Sequence, residues 1–397
     1  MLVTLDSITT KITKGTTPTS VGCTFENSGV NFIKSESLGN SRNIDRSKFA
    51  FISEQTHEKL KRSQIEKNDI LFSMAGMFLG KTGIVTDDLV PANTNQAVAI
   101  IRIDTEKANH EYVYYSLNQR SVVQAVNASS AQSAQPNINL KQIGQIEIDL
   151  PERKLQDKIV SILSAIDFKI EKNNQINENL EQQAQAYFQE LFVDNADPEW
   201  TTGTISDLGT VVGGSTPSKA KPEYYTETGI AWITPKDLSI NKSKFVFHGE
   251  NDITELGLKN SSAVIMPEGT VLFSSRAPIG YIAIATDEVT TNQGFKSVVP
   301  KQEIGTPFVY FFLKNTLPVI EGMASGSTFK EVSGSTMKKV PAVIPDAETL
   351  AKFSNFCAPI FAQQRILEEQ NQSLAILRDN LLPKLMSGEI DVSDVQL

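Results

Sequence analysis

A chain of 397 residues is long enough for two or three domains, each with its own core. Its two cysteines, Cys23 and Cys357, lie in different segments, and no apolar run reaches membrane-spanning length. That excludes a disulfide framework and leads us to expect a soluble, cytoplasmic protein. The net charge of −9 is confined to residues 151–200, at −5, and 346–397, at −4. The neutral remainder argues against indiscriminate nucleic-acid binding but leaves room for a local basic face.

Along residues 1–150, short β-type runs such as AVAIIRI (97–103) are punctuated by Thr, Gly, Pro and Asn, with a helical piece near EYVYYSLNQR from Glu111. ILFSMAGMFLGKTGIV (70–85) approaches the phosphate-binding pattern GxxxxGK(S/T). Ala75 replaces the first glycine, however, and Gly83-Ile84-Val85 continues as a β run where a helix should open. The stretch also recurs from Thr270 as TVLFSSRAPIGYIAIATDEVTTNQ, where Tyr281 stands in the place of Lys81. The apolar frame persists and the cation does not, so we read a strand–loop–strand element rather than a nucleotide site.

From Pro151 the pattern changes to a helical one. Leu155, Ile159, Ile162, Ile166, Ile170, Asn173, Asn177 and Leu180 recur at steps of three or four. Residues 201–345 return to the β-type pattern, and from Pro345 a second helix carries Phe353, Ile360, Leu367, Asn371, Leu374 and Leu381. These spacings lead us to expect that the two helices pair as a coiled coil, with Ile159, Ile166, Asn177 and Leu180 and Ile360, Leu367, Asn371, Leu374 and Leu381 in the seam. An Asn177–Asn371 pair would weaken the seam while fixing its register.

Other correspondences make the chain a duplication. Thr17-Pro18 matches Thr216-Pro217, Phe72-Ser73 matches Phe273-Ser274, and Asn95-Gln96 matches Asn292-Gln293. The expected fold is therefore α+β: two duplicated α/β domains, 1–150 and 196–345, separated by helical segments 151–195 and 346–397, with pseudo-two-fold symmetry. The sequence carries no NPPY-type methyltransferase motif and no GxSxG elbow. Glu152-Arg153-Lys154 has the form of a nuclease motif but reads as a helix start, and His57, His110 and His248 form no metal-ligand pattern.

NQSLAILRDNLLPKLMSGEI (371–390) resembles the second conserved region of type I restriction–modification DNA specificity subunits, and NQINENLEQQAQAYFQELF (174–192) resembles their central region. DPEW (197–200), followed by ISDLGTVVGGSTPSK, is similar to the start of their second target-recognition domain, and QPNIN…IEIDLP to the end of the first. The resemblance implies that each globular part reads one half of a split double-stranded DNA target. It implies that the helices form an antiparallel coiled-coil spacer between the two readers and dock two methyltransferase subunits, with restriction/translocase subunits as further partners and no membrane association. The chain itself would catalyse nothing and hold no cofactor or metal; S-adenosylmethionine, ATP and magnesium would belong to partner subunits. From Leu155 to Leu191, at 1.5 Å per residue, the helix measures roughly 55 Å, or about 16 base pairs as an upper bound on the separation of the reading centres.

Phosphate contacts need cations and hydroxyls, and base reading favours Arg, Lys, Asn and Gln. In the first domain the candidates are Lys14, Thr16 and Thr17, then Arg42, Arg46 and Lys48, then Ser133 and Gln135 within the polar run 129–137. In the second they are Ser215, Thr216, Lys219 and Lys221, then Trp232 and Lys236, Arg276, and Ser327 with Lys330. Asn95-Gln96 and Asn292-Gln293 recur in both domains and so read as structural. The competing reading is a two-domain coiled-coil scaffold with no DNA role. A third, the DNA-reading remnant of a single-chain restriction enzyme, needs catalytic motifs that the sequence lacks.

Overall fold

A computed structural model describes residues 1–39, 41–130, 137–326 and 330–395. It forms two compact units, Met1–Ile170 with Ser373–Leu397, and Glu171–Gln372. Among the described residues no helix is long and apolar enough to cross a membrane.

In the first unit an antiparallel sheet runs in the order Thr9–Lys14, Val98–Ile103, Ile70–Ser73, Thr82–Ile84. A second sheet has the order Ala50–Ile52, Val30–Ile33, Ala92–Thr94, Gln64–Ile65, with Val30–Ile33 parallel to Ala92–Thr94. The strand Ile70–Ser73 shows why its sequence is a continuous apolar run. Successive side chains alternate between faces, and both faces are covered. Ile70 and Phe72 enter the core shared with Tyr112, Ile159 and Leu163, whereas Leu71 enters the core shared with Ile33, Ile65 and Ile100. Thr82–Ile84 returns antiparallel to Ile70–Phe72, so the phosphate-loop lookalike is a β-hairpin.

The second unit repeats this plan. Its antiparallel ladder is Gly209–Gly213, Lys296–Pro300, Val271–Ser275, Ile279–Ala285, with Phe245–Val246 added parallel at one edge. Val271 and Phe273 face one core and Leu272 the other, as in the first copy. The units open alike: a short helix, Leu5–Ile8 or Ile205–Leu208, with both named ends buried, leads directly into the first ladder strand.

Two long helices, the central one (Arg153–Gln189) and the C-terminal one (Ala347–Met386), run antiparallel within each unit. In the second unit Tyr187 stacks on Phe356 with ring centroids 4.4 Å apart, and Gln364 donates to the Asn177 carbonyl at 3.1 Å. In the first, Arg378 donates to Asp167 at 2.9 Å, and Leu385 and Met386 join the core of Ile159 and Leu163. Ile159, Ile166, Ile360 and Leu367 are buried, and Leu180, Leu374 and Leu381 half-buried. The expected Asn177–Asn371 pair does not form. Asn371 accepts from Asn173, one helical turn earlier at 2.9 Å, because antiparallel packing sets Asn177 beside Gln364 instead. The C-terminal helix starts on an Asp346 cap that accepts from the N–H groups of Glu348 and Thr349, and the Trp200 indole donates to the same carboxylate at 2.9 Å. The Thr349 N–H and hydroxyl, with the Trp200 indole and the Glu348 N–H, hold the Asp346 carboxyl down to about 2. The DPEW segment is thus a lock on a helix start.

Candidate nucleic-acid interface

Both units build the same clamp around a Gly-Thr/Ser-Thr-Pro loop. In the first, Thr16 N–H donates to the Thr94 carbonyl at 2.9 Å and the Thr17 hydroxyl bonds the Gln96 side chain. In the second, Ser215 N–H donates to the Thr291 carbonyl at 2.8 Å and the Thr216 hydroxyl bonds Gln293. Asn95 and Asn292 cap the facing turns by accepting from Ala97 and Gly294. The glycines are demanded by this close approach. A Cβ on Gly15 would meet the Thr94 carbonyl oxygen at 2.0 Å, and one on Gly214 the Asn292 carbonyl oxygen at 1.9 Å. The recurrent Asn-Gln pairs therefore hold the loops, and the hydroxyls of Thr17 and Thr216 serve the clamp.

Around the first clamp Lys14 is exposed, and Arg62 reaches the Thr16 hydroxyl at 3.5 Å. Arg42 is half-buried in an ion pair with Glu111, which keeps its guanidinium firmly protonated even though burial opposes the charge. Arg46 pairs with Asp88 on the open surface; Lys48 pairs with Asp45 at 3.2 Å and bonds the Glu36 carbonyl. Exposed pairs of this kind contribute about 0–1 kcal/mol and yield readily to a polyanion. Arg42 is the exception, since its partner is as buried as it is. Ser133 and Gln135 lie outside the described residues, as does Ser327 in the second unit.

In the second unit Lys219 and Lys221 are exposed, Lys221 lying over the Tyr224 ring at 5.2 Å, and Lys236 pairs with Glu250 on the surface. Trp232 is not available to a ligand. It is 6% exposed, packs edge-on to Tyr225, and donates its indole N–H to the Ser215 carbonyl at 2.9 Å. Its bulk and hydrogen bond hold the loop in place, which corrects its candidacy as a DNA contact.

Arg276 stands at the tip of the Val271–Ser275/Ile279–Ala285 hairpin and meets Glu331 at 3.4 Å, with both side chains more than a third exposed. Lys296 approaches the other Glu331 oxygen at 3.9 Å. Burial pushes the Lys296 ammonium below its usual range. Exposed Lys330 and Glu321 complete an open hollow of about 580 Å³ beside Pro278. Ala277, next to Arg276, sits in the left-handed region at φ 51°, a conformation a non-glycine residue holds only where its surroundings enforce it. Lys296 escaped sequence reading because it opens a strand of buried and half-buried residues, Lys296–Pro300, rather than lying in a polar loop. Among the described residues no group of three or more His, Cys, Asp or Glu side chains is placed to hold a metal ion.

A duplicated α/β unit with clamped polar loops and a helix pair places the chain in the class of repeat-built α/β proteins. The family model described as "Type I restriction modification DNA specificity domain" matches residues 1–182 and again 198–377, and the chain belongs to that family. A 169-residue segment is 40% identical to the type I restriction enzyme MjaIX specificity subunit of Methanocaldococcus jannaschii, covering 42% of this chain and 39% of that one. The HindI specificity subunit of Haemophilus influenzae is 24% identical over 83% of this chain and 88% of its own. The crystal structure of a type I system S subunit from M. genitalium shares the fold, with a TM-score of 0.59 and 17% identity over 97% of this chain and 95% of that one.

Proposed function

We infer that this chain is the DNA-reading component of a type I restriction–modification complex. It recognises a split duplex target, with residues 1–150 and 196–345 each reading one half and the helical segments 151–195 and 346–397 docking the partners. Two methyltransferase subunits and the restriction/translocase subunits perform the chemistry with S-adenosylmethionine, ATP and magnesium, and this chain contributes no catalytic group. The observation that carries the reading is the duplication itself: two matches to the DNA specificity domain, in which the hydrogen-bonded frame repeats and the exposed loop residues differ. Two readers of unlike half-sites need a common scaffold and unlike tips.

The test is a domain exchange in the assembled methyltransferase complex. Replacing residues 1–150 with the equivalent domain of another family member should change one half of the methylated motif and leave the other intact. A swap that altered both halves, or a complex showing no salt-dependent, sequence-selective shift of duplex DNA, overturns the reading in favour of a scaffold.

A further inference from the structure

The duplication makes it possible to ask where two nearly identical frames diverge in hydrogen-bonding chemistry. At the hairpin tip two backbone hydrogen bonds of each frame correspond. Met74 N–H donates to the Ala97 carbonyl at 2.8 Å and Ser275 N–H to the Gly294 carbonyl at 2.7 Å. Ile138 N–H donates to the Met74 carbonyl at 2.9 Å and Val332 N–H to the Ser275 carbonyl at 3.0 Å. One residue further on, each hairpin makes an isolated antiparallel bridge to a distant segment: Ala75 with Asn137, and Arg276 with Glu331. Position 75 therefore corresponds to 276, and 137 to 331. The backbone is kept and the side chains are wholly different.

Both bridges stand at the surface. Asn137 is exposed, and Arg276 lines the open hollow of about 580 Å³. The Arg276–Glu331 contact, at 3.4 Å with both partners more than a third exposed, is a weak pair. It orients the guanidinium without sequestering it, in contrast to the half-buried Arg42–Glu111 pair. Lys296 near the second Glu331 oxygen and exposed Lys330 leave the site with more positive than negative charge, suited to a polyanion.

We propose that these equivalent bridges are a base-reading site in each domain, Arg276, oriented by Glu331, reading a guanine in one half-site and Asn137 reading an adenine in the other. The guanidinium matches the two acceptors, O6 and N7, on the major-groove edge of guanine. A carboxamide matches the acceptor–donor pair, N7 and the N6 amino group, of adenine. Ala75, opposite Asn137, leaves space for the carboxamide to approach the base edge, whereas the bulkier Arg276 needs a partner to hold its fork. The proposal rests on the DNA-reading function inferred above and names where in each domain the reading occurs.

The experiment is methylation mapping with the full chain in complex with its methyltransferase subunits, half-sites being assigned to domains by the exchange described above. For Arg276→Ala we expect one G·C position of the second domain's half-site to lose its restriction, discrimination falling on the order of 10- to 100-fold, with the other half-site unchanged. Arg276→Lys, which keeps the cation, should retain part of the guanine preference. Asn137→Ala should relax one A·T position of the first domain's half-site. A uniform fall in methylation with the motif intact makes Arg276 a phosphate contact and overturns the assignment, as does an unchanged motif at an unchanged rate. A wild-type complex that methylates no split motif overturns both this proposal and the function on which it rests.

Discussion

The Asn173 carboxamide donates to the Asn371 side-chain oxygen at 2.9 Å, and Asn371 in turn donates to Asn174 at 2.8 Å. Asn173 is fully buried in the seam of the second unit. An amide donor removed from water costs free energy unless its hydrogen bond is replaced, so the Asn173 N–H is satisfied in this register and penalised in a slipped one. The pair is one of the polar ties between the two helices, beside Gln364 with the Asn177 carbonyl and Arg378 with Asp167.

Removing one partner should therefore cost more than removing both. Asn371→Ala leaves the buried Asn173 amide only its long 3.4 Å contact with Gln370 and should destabilise the protein by about 1–3 kcal/mol. The double change Asn173→Leu with Asn371→Leu should be near neutral or stabilising, since an apolar pair fills the seam. Denaturant unfolding of the full chain and both variants measures this. A single variant as stable as wild type would mean the amide pair does not set the register.

A second buried network tethers the Phe245–Val246 edge strand to both long helices. Lys244, almost fully buried, donates to Glu181 at 2.8 Å and to Gln364 at 2.9 Å, beneath the rings of Phe361 and Tyr310. Glu368 accepts the backbone N–H groups of Lys244 and Phe245. Burial disfavours the Glu181 carboxylate, but Lys244 and Lys314 outweigh it and hold the carboxyl at about 2. Burial outweighs the pairing for Lys244, whose ammonium is pushed down to about 8. The folded carboxyl of Glu181 is depressed, so its stabilisation is present above about 4.5 and is lost as pH falls through about 2. By linkage that loss is on the order of 3 kcal/mol. Glu368, pushed up by burial, titrates in the opposite sense, so the comparison belongs between wild type and Glu181→Gln. The variant should lose about 3–5 kcal/mol at neutral pH, because Lys244 is left buried without its counter-charge. The stability difference between the two proteins should shrink as pH falls from about 4.5 to about 2. Unfolding midpoints across that range check it, and a difference independent of pH would rule out Glu181 as the titrating group.

Trp232 separates a positioning residue from a contact. Trp232→Phe removes the hydrogen bond to the Ser215 carbonyl and should cost about 0.5–1.5 kcal/mol, and Trp232→Ala about 3–5 kcal/mol through the cavity left behind. Neither should change which bases the complex selects, measured on folded protein well below its melting temperature. A Trp232→Phe chain of wild-type stability with altered base selection would restore Trp232 to the DNA-contacting set.

Much of this molecule is legible from local pattern alone. The run at 70–73 and its copy at 271–273 declare central strands because both faces of those strands are covered. The three-and-four spacing of Leu155 to Leu180 declares a long helix, and the matched Thr-Pro and Asn-Gln pairs declare the duplication. These are short-range periodicities, set by how successive side chains point along a strand or helix. Which distant residues meet is another matter, because loop positions carry no period and partner choice depends on how whole elements pack. Only the tertiary structure paired Asn371 with Asn173 rather than Asn177, since antiparallel packing decides which turn faces which. Only it buried Trp232 under Ser215 and gathered Glu181, Lys244 and Gln364 from three separate segments. It also brought Arg276 to Glu331, 55 residues away, and Ala75 to Asn137, two contacts whose equivalence appears once both frames are folded.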